Sequence, residues 1–144
     1  MGKWNFRRLG KARAGGATLL ALSKKQKERE GEYAKVLEVA TASVVANPPF
    51  SNYFVREGLG PLGADIVPAG NIEYGLCQAL HGEESAVAAF RSAFGRKETK
   101  NLVLGIIAGN PGNIATPCGN CRDIMREDLG KDVEIVSGAP DGGV

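Results

Sequence analysis

Two short segments hold the residues best suited to chemistry: His81-Gly82-Glu83 and Pro117-Cys118-Gly119-Asn120-Cys121. An imidazole and two thiolates are donors that zinc accepts in a tetrahedron, and a catalytic zinc keeps its fourth corner for water. Pro117 suits the first turn of a helix, where its missing N–H leaves nothing unpaired. The positive end of that helix favours the thiolate of Cys118 over the thiol. Cys121, one turn later, points the same way. His81, Cys118 and Cys121 are therefore the candidate zinc ligands, and Glu83 is the candidate proton carrier. The chemistry implied is attack by activated water, since zinc brings the pKa of its bound water to about 7. One imidazole and two thiolates formally neutralise the ion, leaving it more electrophilic than three thiolates would.

Other readings compete. Cys-x-x-Cys alone also fits a redox pair or half of a structural zinc site. Structural sites have four protein ligands, and Cys77, four residues before His81, has helix-compatible spacing for the fourth. The domain would then be zinc-stabilised and non-catalytic, and Glu83 would have no reason to be there. His81 is the only histidine, and it precedes a glutamate by two. Cys77 otherwise reads as a small buried hydrophobe.

These residues need elements to carry them. Tyr33, Val36, Leu37, Ala40, Val44 and Val45 recur at helical spacing and predict a helix over 32–46, stopped by Asn47-Pro48-Pro49. A shorter helix is expected over 17–27. Residues 50–58 read as a turn into a strand, Gly60-Pro61-Leu62-Gly63 as a turn, and 65–69 as a short strand that Pro68 places at an edge. Residues 70–74 read as a loop. A helix is expected over 76–94, with Ala79, Leu80, Val87, Phe90 and Phe94 inward and Gly95 as its cap. The run Leu102-Val103-Leu104-Gly105-Ile106-Ile107 predicts a strand covered on both faces within 101–108. Residues 109–115 should be a loop, 118–129 a helix ended by Gly130, 133–136 a buried strand and 138–144 a glycine-rich tail. The sum is an α/β protein with a mixed sheet.

The 144 residues, 43% hydrophobic, suit one domain with a real core. No apolar run approaches the ~20 residues that cross a bilayer, so no membrane association is expected. No secretory signal is recognisable, and an odd cysteine count with metal-like spacing suits a reducing cytoplasm. Residues 1–30 carry nine Lys or Arg against Glu28 and Glu30 only. They read as a basic arm, partly disordered or docked, ahead of a domain over 31–144.

The pattern as a whole resembles the cytidine deaminase family, zinc-dependent nucleoside deaminases of the H-x-E, P-C-x-x-C type. Phe50-Ser51-Asn52-Tyr53-x-Val55 is similar to the family's aromatic-Ser-x-aromatic-x-Val segment. Gly70-Asn71-Ile72-Glu73 is similar to its Gly-x-Asn-(Val/Ile)-Glu segment, and Thr116-Pro117-Cys118-Gly119-Asn120-Cys121-Arg122 to its Ser-Pro-Cys-Gly-x-Cys-Arg. The resemblance runs from about Glu32 to Val136. It implies a three-layer α/β/α sandwich with four to five strands and helices on both faces. It also implies hydrolytic deamination of cytidine or deoxycytidine to uridine or deoxyuridine plus ammonia, by zinc-bound hydroxide with Glu83 as proton shuttle. Asn71 and Glu73 would hold the sugar, and Phe50 would line the base pocket. The Gly82 backbone and the Cys118 N–H would contact the base, with Thr116 and Pro117 beside it. A homo-oligomer, tetramer or dimer, is implied as well.

Three segments depart from the family pattern. Gly82 stands where alanine is usual, Arg56-Glu57-Gly58 replaces Gly-Ala-Ala, and Tyr74 replaces Asn. A modified nucleoside or an aminopyrimidine antibiotic is an alternative substrate. So is a base in single-stranded nucleic acid guided by the basic arm, although only Trp4 and Phe6 stand near that cluster to stack on bases.

Overall fold

The computed structural model describes residues 6–8, 24–44, 46–75, 77–96, 100–109 and 114–140. They form β1 (Phe6–Arg8), α1 (Lys24–Ala42), β2 (Val55–Pro61), β3 (Val67–Gly70), β4 (Ile72–Glu73), β5 (Ala79–Leu80), α2 (Gly82–Phe94), β6 (Leu102–Ala108), α3 (Gly119–Asp128) and β7 (Glu134–Gly138). The main sheet runs β1-β7-β6-β2-β3. The pairs β1/β7 and β7/β6 are parallel, and β6/β2 and β2/β3 are antiparallel. The expected mixed α/β sandwich is the fold observed.

The apolar run of β6 explains the layering. Successive strand side chains point to opposite faces. Leu102, Leu104 and Ile106 join Ala86, Phe90, Met125 and Leu129 in the core under α2 and α3. Val103 points the other way, against Tyr33, Val36 and Val136 under α1. Gly105 lies on that second face because α1 comes so close. A β-carbon there would stand 2.7 Å from Val36 Cγ1.

Several expected boundaries move. The helix α1 starts at Lys24, crossing the 30/31 boundary drawn from charge, and ends at Ala42, not 46. Ser43 turns inward and donates its hydroxyl to the Ala69 carbonyl. Val44, expected on the buried stripe, is 93% exposed. The chain has left the helix before the prolines, because a side chain–backbone bond competes with the helical ladder. Part of the leading segment forms β1, which pairs with β7; residues 17–23, like Val45, lie outside the described residues. Pro68 does sit on the edge strand β3.

The largest change concerns the stretch before α2. Residues expected to begin a helix at 76 instead pair Ile72 with Leu80 and Glu73 with Ala79 in a two-stranded ribbon. Ala79 is exposed and Leu80 half-buried, so neither is core. Cys77 is exposed and takes φ of 60° in the turn of this ribbon, not a buried position. The helix begins only after His81, which is its N-cap. Gly95 ends it, donating its N–H to the Arg91 carbonyl.

Candidate active site

Two helix N-termini face each other on the α2/α3 side of the sheet. His81 caps α2 and Cys118 caps α3, both in extended conformation, and Cys121 lies in the first turn of α3. This placement answers a difficulty in the sequence, because positions two apart on a helix do not share a face. His81 precedes the helix and Glu83 lies within it, so the two side chains leave the backbone in different frames.

The His81 ring turns Nδ1 toward both sulfurs, 3.3 Å from Cys121 Sγ and 3.6 Å from Cys118 Sγ. All three donor atoms lie within 4.8 Å of one another. Zinc bonds of 2.0–2.1 Å to nitrogen and 2.3 Å to sulfur, set at a tetrahedral angle, require an N···S separation of about 3.6 Å. The residues present therefore fit a zinc ion. Burial pushes the Cys121 thiol well above its ordinary range, and Glu83 adds to the shift. A cation between the three donors would reverse that balance by stabilising thiolate.

Other residues hold the ligands in place. Glu84 accepts the His81 N–H at 2.8 Å through one carboxylate oxygen and the Asn120 amide at 3.2 Å through the other. It thereby ties the two helix N-termini together. Sequence reasoning missed Glu84, although a glutamate three residues after an N-cap is the capping-box pattern. Arg122 donates to the Pro117 carbonyl at 2.8 Å and pins the turn into α3.

A cavity of about 390 Å3 opens beside the trio. His81, Gly82, Glu83, Thr116 and Cys118 line it at the helix ends, with Asn71 and Glu73 opposite. Ser51, Tyr53, Val55, Ile106 and Ala115 complete much of its wall. Glu83 is 7% exposed, and Cys121 is buried behind the wall. Pro117 stands outside the lining.

Asn71 and Glu73 shape the facing loop through their polar atoms. Asn71 Oδ1 accepts the Val55 N–H at 2.9 Å, and its amide donates to the Tyr53 carbonyl at 2.8 Å. Glu73 accepts the N–H groups of Phe50 and Ser51 at 2.8 and 2.9 Å. Hydrogen bonds from Ser51, by side chain and backbone, and from Phe50 hold its carboxylate below the usual range. Phe50 is anchored by its backbone N–H, and the residue is 70% exposed. It lines a second cleft with Tyr74 and Cys77, and not the cavity beside the trio.

No family model matches the chain. A cytidine deaminase of Shewanella amazonensis is 30% identical over 90 residues, which is 60% of this chain but only 27% of that protein. The match thus spans about a quarter of that relative's length. Among solved structures, a cytidine deaminase from Mycobacterium tuberculosis is 28% identical, with a TM-score of 0.59 over 72% of this chain and 83% of that one. A cytidine deaminase from Burkholderia pseudomallei shares the fold, with a TM-score of 0.65 and 24% identity over 76% of this chain and 87% of that one. The chain is similar in sequence and fold to these cytidine deaminases. The shared fold goes with a sheet whose β6 reaches the cavity and with two helices that open their N-termini beside it.

Proposed function

We propose that the chain is a zinc-dependent hydrolase that removes the exocyclic amino group of a cytosine nucleoside, releasing ammonia. The observation that carries this reading is the convergence of His81 Nδ1, Cys118 Sγ and Cys121 Sγ within 4.8 Å beside a cavity that Glu83 lines. His81, Cys118 and Cys121 would hold zinc, which when bound supplies Lewis-acid activation of water. Glu83 would take a proton from the attacking water at its carboxylate and pass it to the ring nitrogen, then take the hydroxyl proton of the hydrated ring as the carbonyl forms and deliver it to the amino group, which leaves as ammonia. Its near-complete burial keeps bulk water from competing for those protons. The N–H groups at Gly82 and Cys118 open the two helices toward the base, where helix N-termini favour developing negative charge. Asn71 and Glu73 keep the facing loop closed against the sugar, with Thr116 at the rim.

Homo-oligomerisation belongs to the same reading. Phe50, Tyr53 and Tyr74 are exposed large hydrophobics on the cavity and the adjoining cleft, and such patches mark association surfaces. No helix among the described residues is long and apolar enough to cross a membrane.

The test is ammonia release from cytidine, deoxycytidine, cytosine, CMP, adenosine and single-stranded DNA. Turnover of the nucleosides, lost in Glu83→Gln with zinc retained, is expected. Turnover of the single strand alone would refute the nucleoside reading.

A further inference from the structure

His81 lies 37 and 40 residues before the two cysteines whose sulfurs it faces. The spread of the three donors is therefore set by how the start of α2 sits against the start of α3. That spread, 3.3 and 3.6 Å from Nδ1 to the sulfurs, is already close to what zinc requires. A site whose donors are gathered ahead of the metal needs a support that keeps them there.

The two helices are linked at both ends. At the far end, Arg91 of α2 donates from Nε to Asp128 Oδ2 of α3 at 2.6 Å, and from a terminal nitrogen to the Asp128 carbonyl. Ten residues separate Arg91 from His81, about 15 Å along a helix. At the near end, Glu84 of α2 accepts the Asn120 amide of α3 at 3.2 Å through Oε1 and the His81 N–H at 2.8 Å through Oε2. Asn120 stands between Cys118 and Cys121 in the chain. One carboxylate thus touches the backbone of the imidazole ligand and the segment that carries both thiolates.

The floor of the site removes another freedom. A β-carbon on Gly82 would stand 2.7 Å from Oε1 of Glu57, a fully buried residue of β2. The start of α2 cannot sink toward the sheet, which leaves movement toward or away from α3 for the Glu84–Asn120 bridge to limit.

We propose that Glu84 is a positioning residue for the metal trio: holding the His81 backbone with one oxygen and Asn120 with the other, it sets the spread between the imidazole and the two sulfurs ahead of metal binding. Its effect on zinc rests on the zinc-dependent reading above; its effect on the His81 ring does not.

Two sets of measurements on the full, untagged chain test this. The first is zinc affinity, by competition with a chromophoric chelator. Glu84→Ala removes both bonds and should weaken zinc binding about tenfold, the low end for outer partners of metal ligands because this bridge is in contact with solvent. Asn120→Ala keeps the cap on His81 and removes only the bridge; it should weaken binding about threefold. Glu84→Gln discards the charge but keeps an acceptor for the His81 N–H and a group that bonds Asn120 once that amide is turned, so it should stay close to the parent. Arg91→Met breaks the far link and should lower the melting temperature with zinc affinity unchanged. Parental affinity in Asn120→Ala would overturn the proposal, since a helix cap alone would then account for Glu84. Equal losses in Glu84→Gln and Glu84→Ala would overturn it in favour of charge alone. A loss in Arg91→Met as large as in Asn120→Ala would overturn it in favour of general loosening.

The second set needs no metal. His81 is the only histidine, so its ring protons give one isolated pair of NMR signals. In the reduced, metal-free parent these should differ from those of free histidine, because the ring is held against two sulfurs. In Glu84→Ala and Asn120→Ala they should move toward the free positions. Signals indifferent to both substitutions would overturn the proposal. If the parent takes up no zinc at all, the zinc-dependent reading fails while these signals still decide whether Glu84 places the ring.

Discussion

Replacing Asn71 by alanine tests how the cavity's facing wall is built. The side chain makes two bonds to one loop, accepting the half-buried Val55 N–H at 2.9 Å and donating to the more exposed Tyr53 carbonyl at 2.8 Å. Losing the first leaves a donor with poor access to water, worth about 1–2 kcal/mol. Losing the second is partly made good by solvent and should be worth about 0.5 kcal/mol. The sum, about 2 kcal/mol, corresponds to a melting temperature lower by roughly 4–8 °C for a chain of this size. Asn71→Asp keeps the acceptor and loses the donor, so it should fall between. Thermal unfolding followed by far-ultraviolet circular dichroism reads the shift, and KM for cytidine reads the loop's contribution to binding. A melting temperature within about 1 °C of the parent in Asn71→Ala would refute the clamp, since even one lost half-buried bond exceeds that.

Other perturbations have equally direct readouts. Gly105→Ala forces a methyl to within 2.7 Å of Val36 Cγ1 and 3.1 Å of its carbonyl oxygen; it should destabilise by about 1–3 kcal/mol in urea unfolding while zinc content stays unchanged. Cys118→Ala removes one of three donors and should drop bound zinc, measured by atomic absorption, far below one per chain. Glu57 adds a pH dependence. Its folded-state pKa is raised above the unfolded value, so its contribution is fully present below the unfolded carboxylate range and is lost as pH rises toward the folded value. The stability of Glu57→Gln should therefore gain on the parent as pH rises above about 4.3, by up to about 1.4 kcal/mol per pH unit. A constant difference between the two in urea titrations would contradict the burial of that carboxyl.

The chemistry-bearing residues were legible because their signal is local. His81, Cys118 and Cys121 carry donor type and spacing on their face, and the unbroken apolar run of β6 announces a strand covered twice. What stayed hidden depends on tertiary packing. Nothing in the helical stripe of α1 says that Ser43 will leave it to bond the Ala69 carbonyl. The alanine-rich approach to His81 favours helix by propensity, yet Ala79 and Leu80 pair with Glu73 and Ile72, because Asn71 and Glu73 hold the neighbouring loop in place. Glu57 stands in the sequence as a charge where the family pattern has a small strand residue, and only the fold places it beneath Gly82. Phe50, assigned to the cavity by resemblance, is exposed while its backbone is tied to Glu73.

Zinc stoichiometry and ammonia release, measured together on the parent chain and on Glu83→Gln, bear most directly on the central claim. The account predicts about one zinc per chain in both, release of ammonia from cytidine or deoxycytidine by the parent, and none above background from the variant. A parent chain that binds no zinc, or a variant that deaminates as fast as the parent, would contradict it.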